Sequence, residues 1–263
     1  MKLETQIYNG LKEILKAEDT DIEKAARYAC LTKGHYWRPL LLVKTAKCYR
    51  VDIEESLPSA IALELIHNAS LILDDLPSMD NAVSRRKIKS CHAKYNTAVA
   101  ELCSHYLIQL AILTITNSRR NSQKTEILNS MAETALLLLK GQENDLSTKE
   151  TSLEEKIEEY KLKSGSLFAL ATVIGGRLGY PPHEEIDHLR NFGMNLGVAY
   201  QIKDDIADYR IDKKIGRKTL IHLVGLKEGN MLKKEYERLA RSELKQISRN
   251  LSPLETITTS ILK

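Results

Sequence analysis

The chain reads as all-α: a single-domain helical bundle spanning residues 1–263 and enclosing a central cavity. Three observations predict this. Apolar residues recur at i, i+3 and i+4 through most of the 263 residues. Period-two alternation is nearly absent. Only twelve glycines and six prolines punctuate the chain, which suits roughly eight to ten helices joined by short connections. Hydrophobic residues make up 43%, enough to fill a substantial core.

The elements follow in order. The opening MKLETQIYNGLKEILKAEDTD is an amphipathic helix with acids mixed in, not a signal peptide. Residues 57–75 (LPSAIALELIHNASLILDD) are apolar on almost every face, so they form the central buried helix. Residues 100–115, 127–140, 153–178 and 184–209 repeat the helical spacing. Gly193 and Gly197 stand one turn apart and predict close helix packing, while Pro181-Pro182 separates two helices. The unpatterned polar stretches 116–125, 147–152 and 209–219 are connections, and none has the look of a domain linker. No apolar run approaches the roughly 18–20 residues that span a bilayer, so a soluble cytoplasmic protein is expected. Cys30, Cys48, Cys91 and Cys103 lie far apart, form no CxxC pair and read as scattered reduced thiols. A net charge of +4 from 39 basic and 35 acidic residues argues against a nucleic-acid partner.

Chemistry is concentrated in two acidic clusters, Asp74-Asp75 with Asp80 and Asp204-Asp205 with Asp208. A single DDxxD is weak, since most such runs are solvated helix faces. Here each is continuous with a strongly apolar helix, and carboxylates there are costly to bury unless paired or metal-bound. Asp204 and Asp208 stack one turn apart, roughly 6 Å along the axis. Asp80 falls off that register, but Pro77 breaks the helical ladder and allows the Pro77-Ser78 insertion to bring it back toward Asp74. Facing triads of this kind suit several hard cations, most plausibly magnesium, clamping a phosphorylated substrate.

Cations follow where a diphosphate needs them. Arg85-Arg86 suits bidentate phosphate contact, although alone such a pair is more often solvated. Lys163 sits in a stretch of small and apolar residues (LKSGSLFALA), and Gln142 with Asp145 ends the apolar run 136–139. Each of these has an ordinary structural reading when taken alone.

Together the ordered set DDxxxxD, Arg-Arg, GQxxDL, Lys-Ser-Gly-x-Leu-Phe and Tyr-Gln-Ile-x-Asp-Asp-x-x-Asp resembles the trans-isoprenyl diphosphate synthases, over about residues 34–225. ELIHNASLILDDLPSMDN is closest to the geranylgeranyl type. The resemblance implies that Asp74, Asp75, Asp80, Asp204, Asp205 and Asp208 coordinate magnesium, about three ions with the bound diphosphate of an allylic substrate. It implies that Arg85, Lys163 and Gln201 contact that diphosphate or its waters, and that Gln142 supports the metal shell. His67 and Arg86 would belong to the isopentenyl diphosphate site, although His67 alone reads as a hydrogen-bonded core histidine. Catalysis would fall to Asp74, Asp75, Asp80, Lys163, Asp204 and Asp205. Small Ala69 and Ser70 before the first aspartate would admit a geranylgeranyl-sized product. A homodimer is implied, with the apolar helix at 102–115 a candidate face.

The departures gather at the second substrate. The family's Gly-Lys-Arg-x-Arg-Pro segment reads Gly34-His35-Tyr36-Trp37-Arg38-Pro39, keeping Arg38 and losing two cations. After Arg86 the usual Gly-Lys-Pro-Thr reads Lys87-Ile88-Lys89-Ser90. The loop beyond Asp208 is shorter, and Lys213, Lys214, Arg217 or Lys218 would have to replace its lysine. Three expectations follow, in this order: an elongating synthase with a remodelled isopentenyl site, a class I terpene synthase or cyclase acting without isopentenyl diphosphate, and a non-catalytic regulatory subunit joined to an active synthase.

Overall fold

The computed structural model describes residues 2–32, 34–118, 123–146, 151–216 and 218–263. The chain divides into two compact units, Met1–Val43 with Asp52–Leu128, and Lys44–Val51 with Asn129–Lys263.

The first unit is built on α4 (Ile53–Asp74), most of whose side chains are buried: Ser56, Ser59 through Ala69, and Ile72. It packs against α1 (Leu3–Ile14), α2 (Asp21–Cys30) and α6 (Thr97–Thr116). Contact with α1 is close: a Cβ on Gly10 would lie 2.4 Å from Ile61 Cδ1. Reciprocal hydrogen bonds between Thr20 and Glu23 cap α2, and the Asn96 side chain accepts from the Val99 amide to start α6. One face of α6 is buried through Ala100, Cys103, Leu107, Ala111 and Ile115, while Leu102, Ile112 and Leu113 lie exposed on the other. α3 (Trp37–Cys48) and α7 (Lys124–Asp145) each begin in this unit and end in the second.

The second unit contains α8 (Leu153–Tyr160), a π-turn at Lys161–Gly165, α9 (Ser166–Arg177), α10 (His183–Ile215), α11 (Leu220–Leu244) and α12 (Ser252–Leu262). α10 meets α9 and the preceding π-turn through the two glycines singled out by their spacing. A Cβ on Gly193 would lie 2.6 Å from Ala169 Cα, and one on Gly197 would lie 2.6 Å from Gly165 Cα.

Three sequence expectations are corrected. α10 runs to Ile215, well past Tyr209, because Asp212 turns inward and is buried, and Gly216 in the left-handed conformation makes the stop. Among the described residues there are twelve α-helices rather than eight to ten, the excess coming from short pieces such as α5 (Cys91–Lys94) and from the π-turn that splits 153–178. Finally, α4 and α6 are both long and apolar enough to cross a membrane by length and composition. For α4 the explanation is internal, since 72% of its apolar window is buried within the protein.

Candidate active site

The first acidic cluster forms where α4 ends. Asp74 is its last residue, and the chain then folds back: the Asp80 amide donates to the Asp74 carbonyl at 2.9 Å, and the Ala82 amide to the Asp75 carbonyl at 3.2 Å. Asn81 makes the reversal at φ 49°, a conformation that asparagine tolerates. The Pro77-Ser78 insertion therefore does return Asp80 to Asp74, by ending the helix rather than by bulging it. Asp74 is half-buried and Asp80 exposed.

Asp75 is buried and engaged with Arg85, whose Nε donates at 2.8 Å to Oδ2 and Nη2 at 2.7 Å to Oδ1. Arg85 lies on a two-stranded hairpin, β1 (Ser84–Arg85) and β2 (Ile88–Lys89), although period-two alternation is nearly absent from the sequence. The turn residues Arg86 and Lys87 take φ of 52° and 67°, the left-handed values of a two-residue hairpin. Arg85 thus serves an aspartate in this structure, whereas the resemblance assigned it to a diphosphate.

Beside this, Arg38 Nη1 lies 3.1 Å from His67 Nε2. Burial, then the charges of Arg38, Arg86 and Arg85, hold His67 well below the usual imidazole range, so the neutral ring accepts from Arg38. Its buried Nδ1 has no hydrogen-bond partner, and neither does the buried hydroxyl of Tyr36. Tyr36 itself sits at φ 52°, and the rings of its chain neighbours His35 and Trp37 stack on each other with centroids 5.4 Å apart. The guanidinium of Arg86 packs on Gly34, 2.8 Å from where a Cβ would stand. Glu64 completes the group and was overlooked in the sequence. Burial pushes its carboxyl up to about 7, against the pull of Arg38, Arg86 and the Asn68 amide. The available signal was a lone acid one turn before His67 on an otherwise apolar helix.

In the second unit, α10 carries half-buried Asp204, buried Asp205 and exposed Asp208. Gln201 Nε2 donates to Asp205 Oδ1 at 3.1 Å, and Gln201 Oε1 accepts from Ser164 at 2.6 Å. Tyr160, which the sequence reading did not single out, donates its hydroxyl to Asp205 Oδ2. Burial and then the Asp205 charge push the phenol up, so it remains a donor. The π-turn bears Lys163, and such turns recur at functional sites. Lys163 Nζ pairs with Asp145 Oδ2 at 2.5 Å rather than standing open to a phosphate. Burial raises the Asp145 carboxyl, but Lys163 and Lys156 outweigh it and hold the group below its usual value. Gln142 is half-buried on α7, next to Gly141, which the π-turn approaches closely. Of the basic residues after Asp208, Lys213 and Lys214 are exposed on the last turn of α10, Lys218 is exposed, and Arg217 lies outside the described residues.

The donor chemistry fits magnesium. Each cluster consists only of carboxylates, one of them buried and the others nearer the surface. Among the described residues no three histidine, cysteine or acidic side chains close into a protein cage. Magnesium takes one or two carboxylates together with phosphate oxygens and water, and carboxylates are the donors each cluster offers.

Residues 19–243 match the family described as polyprenyl synthetase. The chain belongs to that family. A geranylgeranyl pyrophosphate synthase 4 from Arabidopsis thaliana is 33% identical, with 93% of this chain and 71% of the relative covered. A short chain isoprenyl diphosphate synthase from Methanocaldococcus jannaschii is 30% identical, covering 82% and 68%. Among solved structures, the geranyltranstransferase of Thermotoga maritima matches with a TM-score of 0.85 and 30% identity over 98% of this chain and 94% of that one. As a member of the polyprenyl synthetase family, the protein is an all-α trans-prenyltransferase of the prenyl diphosphate synthase type.

Proposed function

We propose that this synthase ionises an allylic prenyl diphosphate and condenses it with isopentenyl diphosphate through a rewired second pocket. The carrying observation is the Arg38–His67–Arg86–Glu64 group, which keeps two guanidiniums beside a neutral histidine although His35 and Tyr36 have replaced two cations. Within the first unit Asp74 and Asp80, and within the second Asp204 and Asp208, would each offer carboxylates to magnesium bound with a diphosphate, while Asp75 and Asp205 act from positions set by Arg85 and Tyr160. Bound magnesium supplies Lewis-acid stabilisation of the charge that develops on the leaving diphosphate. Lys163 adds positive charge once its pairing with Asp145 yields to the substrate. The buried apolar face of α4 excludes water from the allylic cation. The isopentenyl double bond then attacks, and the departing diphosphate takes the proton that is lost. Ala69, small and buried before Asp74, suits a geranylgeranyl-sized product. The exposed Leu102, Ile112 and Leu113 face of α6 is the proposed homodimer surface.

The test is direct: incubation with magnesium and farnesyl or geranylgeranyl diphosphate, with and without isopentenyl diphosphate, followed by product analysis. A longer diphosphate formed only with isopentenyl diphosphate is expected. The second reading, a terpene synthase, is favoured by the cations lost at His35 and Tyr36, and hydrocarbon or alcohol formed without isopentenyl diphosphate would establish it instead.

A further inference from the structure

Tyr160 occupies a position that the acidic clusters alone do not explain. It ends α8, three residues before Lys163, and is 5% exposed. Its ring packs with Val198 and Ile202 of α10 and with Leu220 and Ile221 of α11. Its hydroxyl makes two bonds of opposite sense, donating to Asp205 Oδ2 and accepting at 2.9 Å from the Leu220 amide. Leu220 is the first residue of α11 and fully buried, and the amides of a first turn have no partner within their own helix. One oxygen therefore fixes a carboxylate of the second cluster and the start of the helix that follows it. Gln201 holds the other carboxylate oxygen, so the rotation of Asp205 is set from both sides.

We propose that Tyr160 is a positioning residue of the second acidic cluster, orienting Asp205 for magnesium–diphosphate binding and coupling that carboxylate to the first turn of α11. This rests on the metal-binding reading of Asp204, Asp205 and Asp208. Hydrogen-bonded partners of ligating carboxylates typically contribute about 10–100-fold to metal affinity or activity.

The experiment measures magnesium-dependent binding of inorganic pyrophosphate by calorimetry, together with hydrogen exchange at the Leu220 amide. The full chain is compared with Tyr160→Phe, Asp205→Asn and the double variant. Tyr160→Phe is expected to weaken binding about 10–100-fold. The double variant should bind no more weakly than Asp205→Asn alone, because the tyrosine acts through that carboxylate. In the unsubstituted protein, saturating magnesium and pyrophosphate should slow exchange at Leu220 more than at Leu170 in α9. That measurement stands even if Tyr160→Phe fails to fold. Binding by Tyr160→Phe equal to the unsubstituted protein, multiplying losses in the double variant, or equal slowing at the two amides would each overturn the proposal alone. An unsubstituted protein that binds no magnesium pyrophosphate would overturn the metal-site reading itself, and this proposal with it.

Discussion

Replacing Arg85 with leucine would strand a buried carboxylate, and the size of the effect follows from the geometry. Asp75 keeps only 4% of its side-chain surface exposed and receives a bidentate guanidinium, with contacts of 2.7 and 2.8 Å. Removing one partner of a fully buried pair costs about 3–5 kcal/mol, mostly the desolvation of the charge left behind. The Arg85 side chain is 35% exposed, so water partly replaces it and the low end, about 3 kcal/mol, is expected. Trp37 is the only tryptophan in the chain and lies in the same unit as this pair, so its fluorescence in urea reports the relevant unfolding. At a slope of about 3 kcal/mol/M the midpoint should fall by about 1 M. Asp75→Asn combined with Arg85→Leu should recover most of that loss, since a neutral amide costs less to bury than an unpaired carboxylate. A double variant no more stable than Arg85→Leu alone would refute the pairing argument, because the cost would then lie in packing or in the hairpin.

Three further outcomes are expected. Glu64 has a folded-state carboxyl raised to about 7 from 4.5, so its contribution to stability is present below 4.5 and is lost as pH rises through 7. Ionising it in place costs roughly 3 kcal/mol, and Glu64→Gln should flatten urea-measured stability across that window. An unchanged slope would contradict its burial as a lone acid. Lys87 sits at φ 67° where the family pattern has glycine, and Lys87→Gly should stabilise by about 0.5–1 kcal/mol in the same assay; a variant no more stable than the unsubstituted protein would show that the turn stores no such strain. Restoring cations with His35→Lys and Tyr36→Arg should lower the KM for isopentenyl diphosphate and raise elongation. If neither moves, the changed segment is not what limits the second substrate.

Much of the fold was legible because helical burial is a local property. The spacing through residues 57–75 announced α4, and Gly193 with Gly197 announced the α9–α10 contact, since close approach needs a missing Cβ on one face. The end of α10 was misplaced because Asp212, Lys213 and Lys214 look like loop residues, while burial of Asp212 and a left-handed Gly216 depend on surroundings that local pattern does not carry. The Arg86-Lys87 hairpin was invisible for a related reason: neither residue type favours the turn it makes.

The site divides along the same line. The sequence by itself determined the class of chemistry, because two acid clusters on apolar helices cannot be buried cheaply and their order with Arg85, Gln142, Lys163 and Gln201 is specific to one family. Tertiary structure alone decided what each acid and base does. Asp75 meets Arg85 across ten positions of sequence and Asp205 meets Tyr160 across 45, and only folding brings such partners within bonding distance. The same holds for the neutral state of His67 and the raised carboxyl of Glu64. Those are set by desolvation and neighbouring charge, which exist only once the chain has closed around them.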